Sequence, residues 1–154
     1  MQSLSLNGSW TLDVVSGAGE AVFSNVPASV PGSVYSDLLA AELIPDPFWR
    51  DNETEALKLM EHCFRYARSF EVPEDLLACD RVLLRCEGLD TLADIEINGA
   101  AAGHADNMHR TWEFDVKALL KPGANAISVV LRSPTRFIRE AYAADPCDAR
   151  GAVL

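Results

Sequence analysis

Apolar and polar residues alternate with a period of two along several short stretches of this chain, the spacing that puts one face of a β-strand inward. Trp10, Leu12 and Val14 alternate with Thr11 and Asp13, which predicts a strand entered through a turn at Asn7-Gly8. Phe64, Tyr66, Arg68, Phe70 and Val72 share one face of a second stretch, ended by Pro73. Val82, Leu84 and Cys86 point inward from a third. Ala93, Ile95 and Ile97 oppose Asp94 and Glu96, and the following Asn98-Gly99 is a strong hairpin signal, because both residues tolerate the positive φ of a tight turn. Trp112, Phe114 and Val116 alternate with Glu113 and Asp115. After a turn at residues 121–125, Ile127, Val129 and Leu131 form the core face of a further strand. Trp10 and Trp112 both read as core residues.

Helical signals are fewer. Residues 26–32 read as extended, because Pro27 and Pro31 push their predecessors out of the helical region. Ser33 is placed to cap a short helix reaching about Glu42, with Val34/Leu38 and Tyr35/Leu39 as core-facing pairs. Residues 46–55 read as a polar and aromatic loop, residues 56–61 as one helical turn, and Glu74-Asp75 as the start of another. Residues 16–20 read as a loop. Beyond Pro134 the periodicity fades: residues 137–142 are ambiguous, and residues 143–154 read as loop or tail. Many half-buried strands with few helices predict an all-β, antiparallel sandwich with one or two short helices. The domain is expected to span residues 1–142, with its last strands missing.

Composition narrows the class. The chain has 154 residues, 49% of them hydrophobic and 23% charged, ordinary for one globular domain. A formal net charge of −10 argues against nucleic-acid binding and against adsorption to anionic membranes. Cys63, Cys79, Cys86 and Cys147 form no Cys-x-x-Cys pair and have no histidine at zinc-finger spacing, so reduced thiols are expected. Residues 1–6 carry neither a basic start nor a long apolar run, which reads as a cytoplasmic protein without a signal peptide. No phosphate loop, nucleophile triad or cofactor motif is present.

Seven motifs, in order and in register, carry a resemblance. They are residues 30–38 (VPGSVYSDL), 46–53 (DPFWRDNE), 66–70 (YARSF), 87–93 (EGLDTLA), 95–99 (IEING), 106–110 (DNMHR) and 114–116 (FDV). Each alone is weak, but together they resemble the start of the β-mannosidases of glycoside hydrolase family 2, over residues 7–142. One departure is the absence of a tryptophan just before Tyr66, where His62, Cys63 and Phe64 stand. The resemblance implies a jelly-roll sugar-binding module, followed in the family by an immunoglobulin-like domain and a (β/α)8 barrel. The barrel carries the acid/base and nucleophile glutamates of a retaining mechanism, a pair held about 5–5.5 Å apart. It also implies that Arg139-Glu140-Ala141-Tyr142 leads towards a Gly-Trp-Asp-Trp-Gly motif beyond this sequence. No catalytic residue, cofactor or metal is then expected here.

Two loops hold the candidate residues. By the resemblance, Trp49, Asp51 and Asn52 extend towards the active-site mouth, where an indole face, a carboxylate and an amide suit a sugar. Asp51 and Asn52 equally suit capping or turning the loop. Asp106, Asn107, His109 and Arg110 either order a loop that by the resemblance faces the barrel, or serve the local fold alone, with Asn107 satisfying buried backbone groups in a tight turn. His104 and His109, read as lying in one loop, lack a third ligand for a metal. Asp90 and Thr91 read as turn or strand-bonding residues, and Asp145 with Asp148 as a carboxylate pair without a pocket. The expected function is that of a non-catalytic domain of a retaining exo-β-mannosidase, bound to its barrel and helping to shape a pocket for terminal β-mannose. A stand-alone carbohydrate-binding module and a purely structural domain remain the alternatives.

Overall fold

The computed structural model of the protein describes residues 2–146. Each predicted alternation forms a strand: β1 (Gly8–Val15), β3 (Cys63–Val72), β4 (Leu83–Glu87), β5 (Ala93–Ile97), β7 (Thr111–Asp115) and β8 (Gly123–Leu131). Two further strands complete the set, β2 (Ala21–Val30) and β6 (Ala100–Ala105). Six of them form one antiparallel sheet in the order β2-β1-β3-β8-β5-β6, and β4 pairs with β7 in a second. The architecture is an all-β sandwich.

The core is written as rows across the large sheet. Val26, Leu12, Tyr66, Val129, Ile95 and Gly103 are successive register partners, one from each of the six strands. Val14, Phe64, Leu131, Ala93 and Ala105 form the next row. Leu12, Val14, Ala93 and Ala105 have no exposed surface. Burying each large aliphatic or aromatic side chain in these rows contributes on the order of 1.5–3 kcal/mol, which fixes the register: a slip by one residue would turn the rows outward. Gly103 ends its row because the Phe114 ring of β7 occupies the space; an added Cβ would lie 2.3 Å from it.

The inner face has two covers. Over β6, the β4–β7 pair lays down Leu84, Cys86, Trp112 and Phe114, all half-buried. Burial pushes the Cys86 thiol up to about 11. Over β2 and β3 runs the long connection of residues 31–62, which carries α1 (Val34–Ala40), α2 (Asn52–Lys58) and a 3-10 turn (Leu59–Glu61). Ser33 caps α1, accepting from the Ser36 N–H at 3.2 Å, and Leu38 is fully buried. Asp37, on the same apolar stripe, accepts from Tyr66 Oη at 2.8 Å and from the Ser29 N–H at 3.1 Å, pinning the helix to β3 and β2 at once.

Several expectations are corrected. Leu39 is 41% exposed, because the seven-residue helix buries only the stripe through Asp37 and Leu38. The loop expected to reach Glu55 ends at Asp51, since Glu53 and Glu55 stabilise the first turn of α2. Asn125 lies within β8, 3% exposed, rather than in a turn. Its side chain bonds the Lys121 N–H and C=O and the Gly123 C=O, so it closes the preceding turn from inside the strand. Trp112 is half-buried, its indole N–H held at 3.0 Å by the Asn107 C=O. His104 lies in β6, not in a loop. The ambiguous residues 137–142 belong to α4 (Pro134–Ala144), which takes in Ala143 and Ala144 of the expected tail. α3 (Glu74–Leu77) forms where Glu74-Asp75 pointed. Residues 147–154 of the tail, with Cys147 and Asp148, lie outside the described residues.

Candidate functional site

The loop before α2 is ordered by its own polar groups. Asp46 Oδ1 accepts from the Phe48 N–H at 2.9 Å, and the Asp46 C=O accepts from both the Trp49 N–H at 3.1 Å and Asn52 Nδ2 at 2.9 Å. The Trp49 C=O in turn accepts from the Asn52 N–H at 3.2 Å. Asn52 therefore spends one side-chain N–H on the loop and leaves its side-chain oxygen and second N–H available to a ligand. Arg50 takes a left-handed φ of 56°, and its guanidinium lies 5.6 Å from the Trp49 ring centroid. This tight path turns two aromatic rings outward: Phe48 is 97% exposed and Trp49 63%. Asp51 stands at the N-cap position of α2 without a side-chain capping bond, its carboxylate exposed beside them. Trp49 and Asp51 thus lie in one short loop, and Asn52 opens the helix that follows it. Phe48 was not singled out from sequence; the signal for it was its place between Pro47 and Trp49, in a loop with no alternation to bury it.

The second loop joins β6 to β7. Asn107 Oδ1 accepts from the His109 N–H at 2.8 Å in an Asx turn, and the Asn107 C=O receives the Trp112 indole N–H. The turn is exposed, so Asn107 serves exposed backbone groups rather than the buried ones expected. The Arg110 guanidinium stacks 4.0 Å from the Trp112 ring centroid. Asp106 and His109 are exposed. Met108 Sδ accepts from Thr91 Oγ1 at 3.9 Å, linking this turn to the β4–β5 loop, where Thr91 also bonds Asp90. Among the described residues no hydrogen bond joins the two candidate loops.

A charged cluster was missed from sequence. Asp94 accepts from His104 Nδ1 at 2.9 Å and from Arg132 Nε at 2.5 Å, on the outer face where β5 meets β6 and β8. Partial burial raises the Asp94 pKa, but the bonds from His104 and Arg132 outweigh it and hold the carboxyl below the usual range. No group of three metal-ligating side chains occurs among the described residues. Cys63, Cys79 and Cys86 stand as free thiols. No helix among the described residues is long and apolar enough to cross a membrane.

This sandwich, with its self-ordered aromatic loop, has the form of a galactose-binding-like domain, and residues 10–152 match the family described as the glycosyl hydrolase 2 galactose-binding domain-like domain. The chain belongs to that family. The β-mannosidase of Bos taurus is 33% identical over 138 residues, covering 90% of this chain and 15% of the relative. β-Mannosidase A of Emericella nidulans is 32% identical over 139 residues, covering 89% and 14%. Among solved structures, the β-D-mannosidase of Dictyoglomus thermophilum superposes with a TM-score of 0.86 at 36% identity, covering 96% of this chain and 18% of that one. The exo-chitosanase of Amycolatopsis orientalis, at 16% identity and a TM-score of 0.69 over 85% of this chain and 17% of its own, shares the fold. The chain therefore spans about 15% of the length of the curated relatives it matches.

Proposed function

We propose that this chain is the amino-terminal, non-catalytic domain of a retaining exo-β-mannosidase, which removes terminal β-D-mannose from oligosaccharides. The observation that carries the reading is the agreement with β-mannosidases along nearly the whole chain, in sequence and in fold, at only a small share of their length. Immunoglobulin-like and barrel domains follow it, and the two catalytic glutamates belong to the barrel. The domain packs on that barrel and borders the sugar pocket. Trp49 offers its ring to the apolar face of a pyranose, while the Asp51 carboxylate and the Asn52 side-chain oxygen accept from sugar hydroxyls. Asp106, Asn107, His109 and Arg110 hold the second loop in shape against the barrel. Free thiols at Cys63, Cys79 and Cys86 fit a reducing, cytoplasmic setting.

Residues 1–154 alone are then inactive towards a chromogenic β-mannoside, and the polypeptide containing the barrel is active. Turnover by the purified 154-residue chain would refute this division of labour.

The neighbouring exposed rings of Phe48 and Trp49 favour one second reading, an independent carbohydrate-binding module. Calorimetry of this chain with manno-oligosaccharides separates the two: heat of binding supports the module, and its absence leaves the enzyme domain.

A further inference from the structure

Asn7 and Asn98 are the asparagines that precede a glycine. In that pairing the following backbone nitrogen, with no side chain beside it, can attack the asparagine's own Cγ. The fold treats the two positions in opposite ways. Asn98 has both ends of its amide occupied: Nδ2 donates to the Leu119 C=O and to Asn125 Oδ1, each at 2.8 Å, and Oδ1 accepts from the Ala126 N–H at 3.0 Å. Swinging its Cγ onto the Gly99 nitrogen would break all three bonds. Asn7 is exposed, and among the described residues its hydrogen bonds run through the backbone. Its N–H donates to Ser5 Oγ at 3.2 Å, and its C=O accepts from Arg68 Nη1 at 2.7 Å. Gly8 takes a φ of 110°, and a Cβ added there would meet Arg68 Nη1 alone, at 3.8 Å, so the space beside it is otherwise open.

The Arg68 contact bears directly on this chemistry. The oxygen it bonds belongs to the peptide whose nitrogen is that of Gly8. When that nitrogen loses its proton, the negative charge is shared with the Asn7 carbonyl oxygen, where the guanidinium already stands. Arg68 forms no ion pair among the described residues, so no carboxylate neutralises it. It is also held in place. The same Nη1 donates to the Leu6 C=O at 2.8 Å, and that carbonyl accepts from Trp10 Nε1 at 2.8 Å as well.

We propose that Asn7-Gly8 is a site of self-modification, at which Asn7 becomes isoaspartate with the Arg68 guanidinium promoting both steps. In the first step the deprotonated Gly8 nitrogen bonds to Asn7 Cγ, the Cγ–Nδ2 bond breaks, and ammonia leaves with a proton taken from water. A cyclic imide remains. In the second, water adds to the main-chain carbonyl carbon of Asn7, and the bond from that carbon to the Gly8 nitrogen breaks. The nitrogen regains a proton, the chain now runs through Cγ, and the main-chain carbon is left as a carboxylate. Nothing is oxidised or reduced. Opening at Cγ instead would give ordinary aspartate. Arg68 favours opening at the main-chain carbon, because it donates to the oxygen that takes up charge as water adds, and then pairs with the carboxylate formed.

The test is to age the purified 154-residue chain at mildly alkaline pH, folded and in urea, and to follow both asparagines by peptide mass spectrometry with fragmentation that separates isoaspartate from aspartate. In the folded chain Asn7 is expected to convert, with a larger share of isoaspartate than in urea, while Asn98 stays intact. In urea both convert at similar rates. Arg68→Met should slow Asn7 in the folded chain roughly tenfold and leave its rate in urea unchanged. An Asn7 that persists in the folded chain while it converts in urea would overturn the site. Conversion as fast or faster in Arg68→Met would overturn the role of Arg68 and show that the guanidinium merely clamps the segment. The parent chain supplies a check that no folding defect can disturb: an equal isoaspartate share, folded and in urea, counts against Arg68 steering the second step.

Discussion

Tyr66 Oη donates to Asp37 Oδ2 across 2.8 Å in the buried interior, joining the middle of the large sheet to the helix that covers it. Asp37 is 6% exposed and Tyr66 8%, so neither group has ready access to water as a substitute partner. A hydrogen bond to a carboxylate in such a place contributes about 1.5–3 kcal/mol. Tyr66→Phe is expected to destabilise the chain by about that amount in urea unfolding. Asp37→Ala should cost more, because it also strips the Ser29 N–H of its acceptor. A variant as stable as the parent would show that the helix is held by Leu38 and its apolar neighbours alone.

The same contact sets an alkaline limit. Burial, reinforced by the Asp37 bond and charge, raises the Tyr66 pKa above the ordinary phenol value of about 10. The unfolded chain therefore loses this proton first. The contribution is fully present below pH ~10 and is lost as pH rises above it. Unfolding followed from pH 8 to 11 should show a fall in stability that Tyr66→Phe lacks; parallel curves would remove Tyr66 as its source.

The β5–β6 turn gives a third prediction. Asn98 and Gly99 both have positive φ, 53° and 79°. Asn98 Nδ2 also donates to the Leu119 C=O and to Asn125 Oδ1, each at 2.8 Å, and Asn98 Oδ1 accepts from the Ala126 N–H at 3.0 Å. This one side chain ties the hairpin to β8 and to the turn before it. Asn98→Ala is expected to cost roughly 2–3 kcal/mol, from several hydrogen bonds at about 1 kcal/mol each. Asn98→Gly, which keeps the backbone freedom, should recover only the smaller conformational part of that loss in thermal melts.

Gly103 has no room for a side chain, since Phe114 fills its site. Gly103→Ala is expected to lose about 1–3 kcal/mol by overpacking. Adding Phe114→Leu to it should restore part of the loss, while additive effects in a double-mutant cycle would place the ring elsewhere.

Much of the sandwich was legible because its strands are half-buried, and half-burial writes itself as alternation. Trp10, Leu12 and Val14, and again Ala93, Ile95 and Ile97, announce the inward face directly. β2 was legible only in its last residues, because as an edge strand it buries Val26 alone and shows little period. α4 was obscured for a related reason. Phe137, Ile138 and Tyr142 are 52%, 64% and 58% exposed, so no contact with the core organises their spacing. At the candidate site, residue types pointed to the loops but could not give their internal bonds. That Asn52 locks the Asp46 turn, and that Asn107 caps the His109 N–H, depends on backbone geometry that no spacing encodes. Asp94, His104 and Arg132 lie on three different segments, so only the sheet brings them together.

If Trp49 borders the sugar pocket, Trp49→Ala in the native enzyme should raise KM for a β-mannoside about tenfold or more, the size of one lost stacking contact of roughly 1.4 kcal/mol. The stability of the 154-residue chain should stay unchanged, because the ring is 63% exposed. An unaltered KM would place this loop away from the sugar.

The most direct test of the whole account is hydrolysis of p-nitrophenyl β-D-mannopyranoside, measured side by side for the 154-residue chain and for the polypeptide that carries it in its native source. The account predicts release of p-nitrophenolate, with retention of anomeric configuration, by the native polypeptide and none by the 154-residue chain. Hydrolysis by the short chain, or none by the native polypeptide, would contradict it.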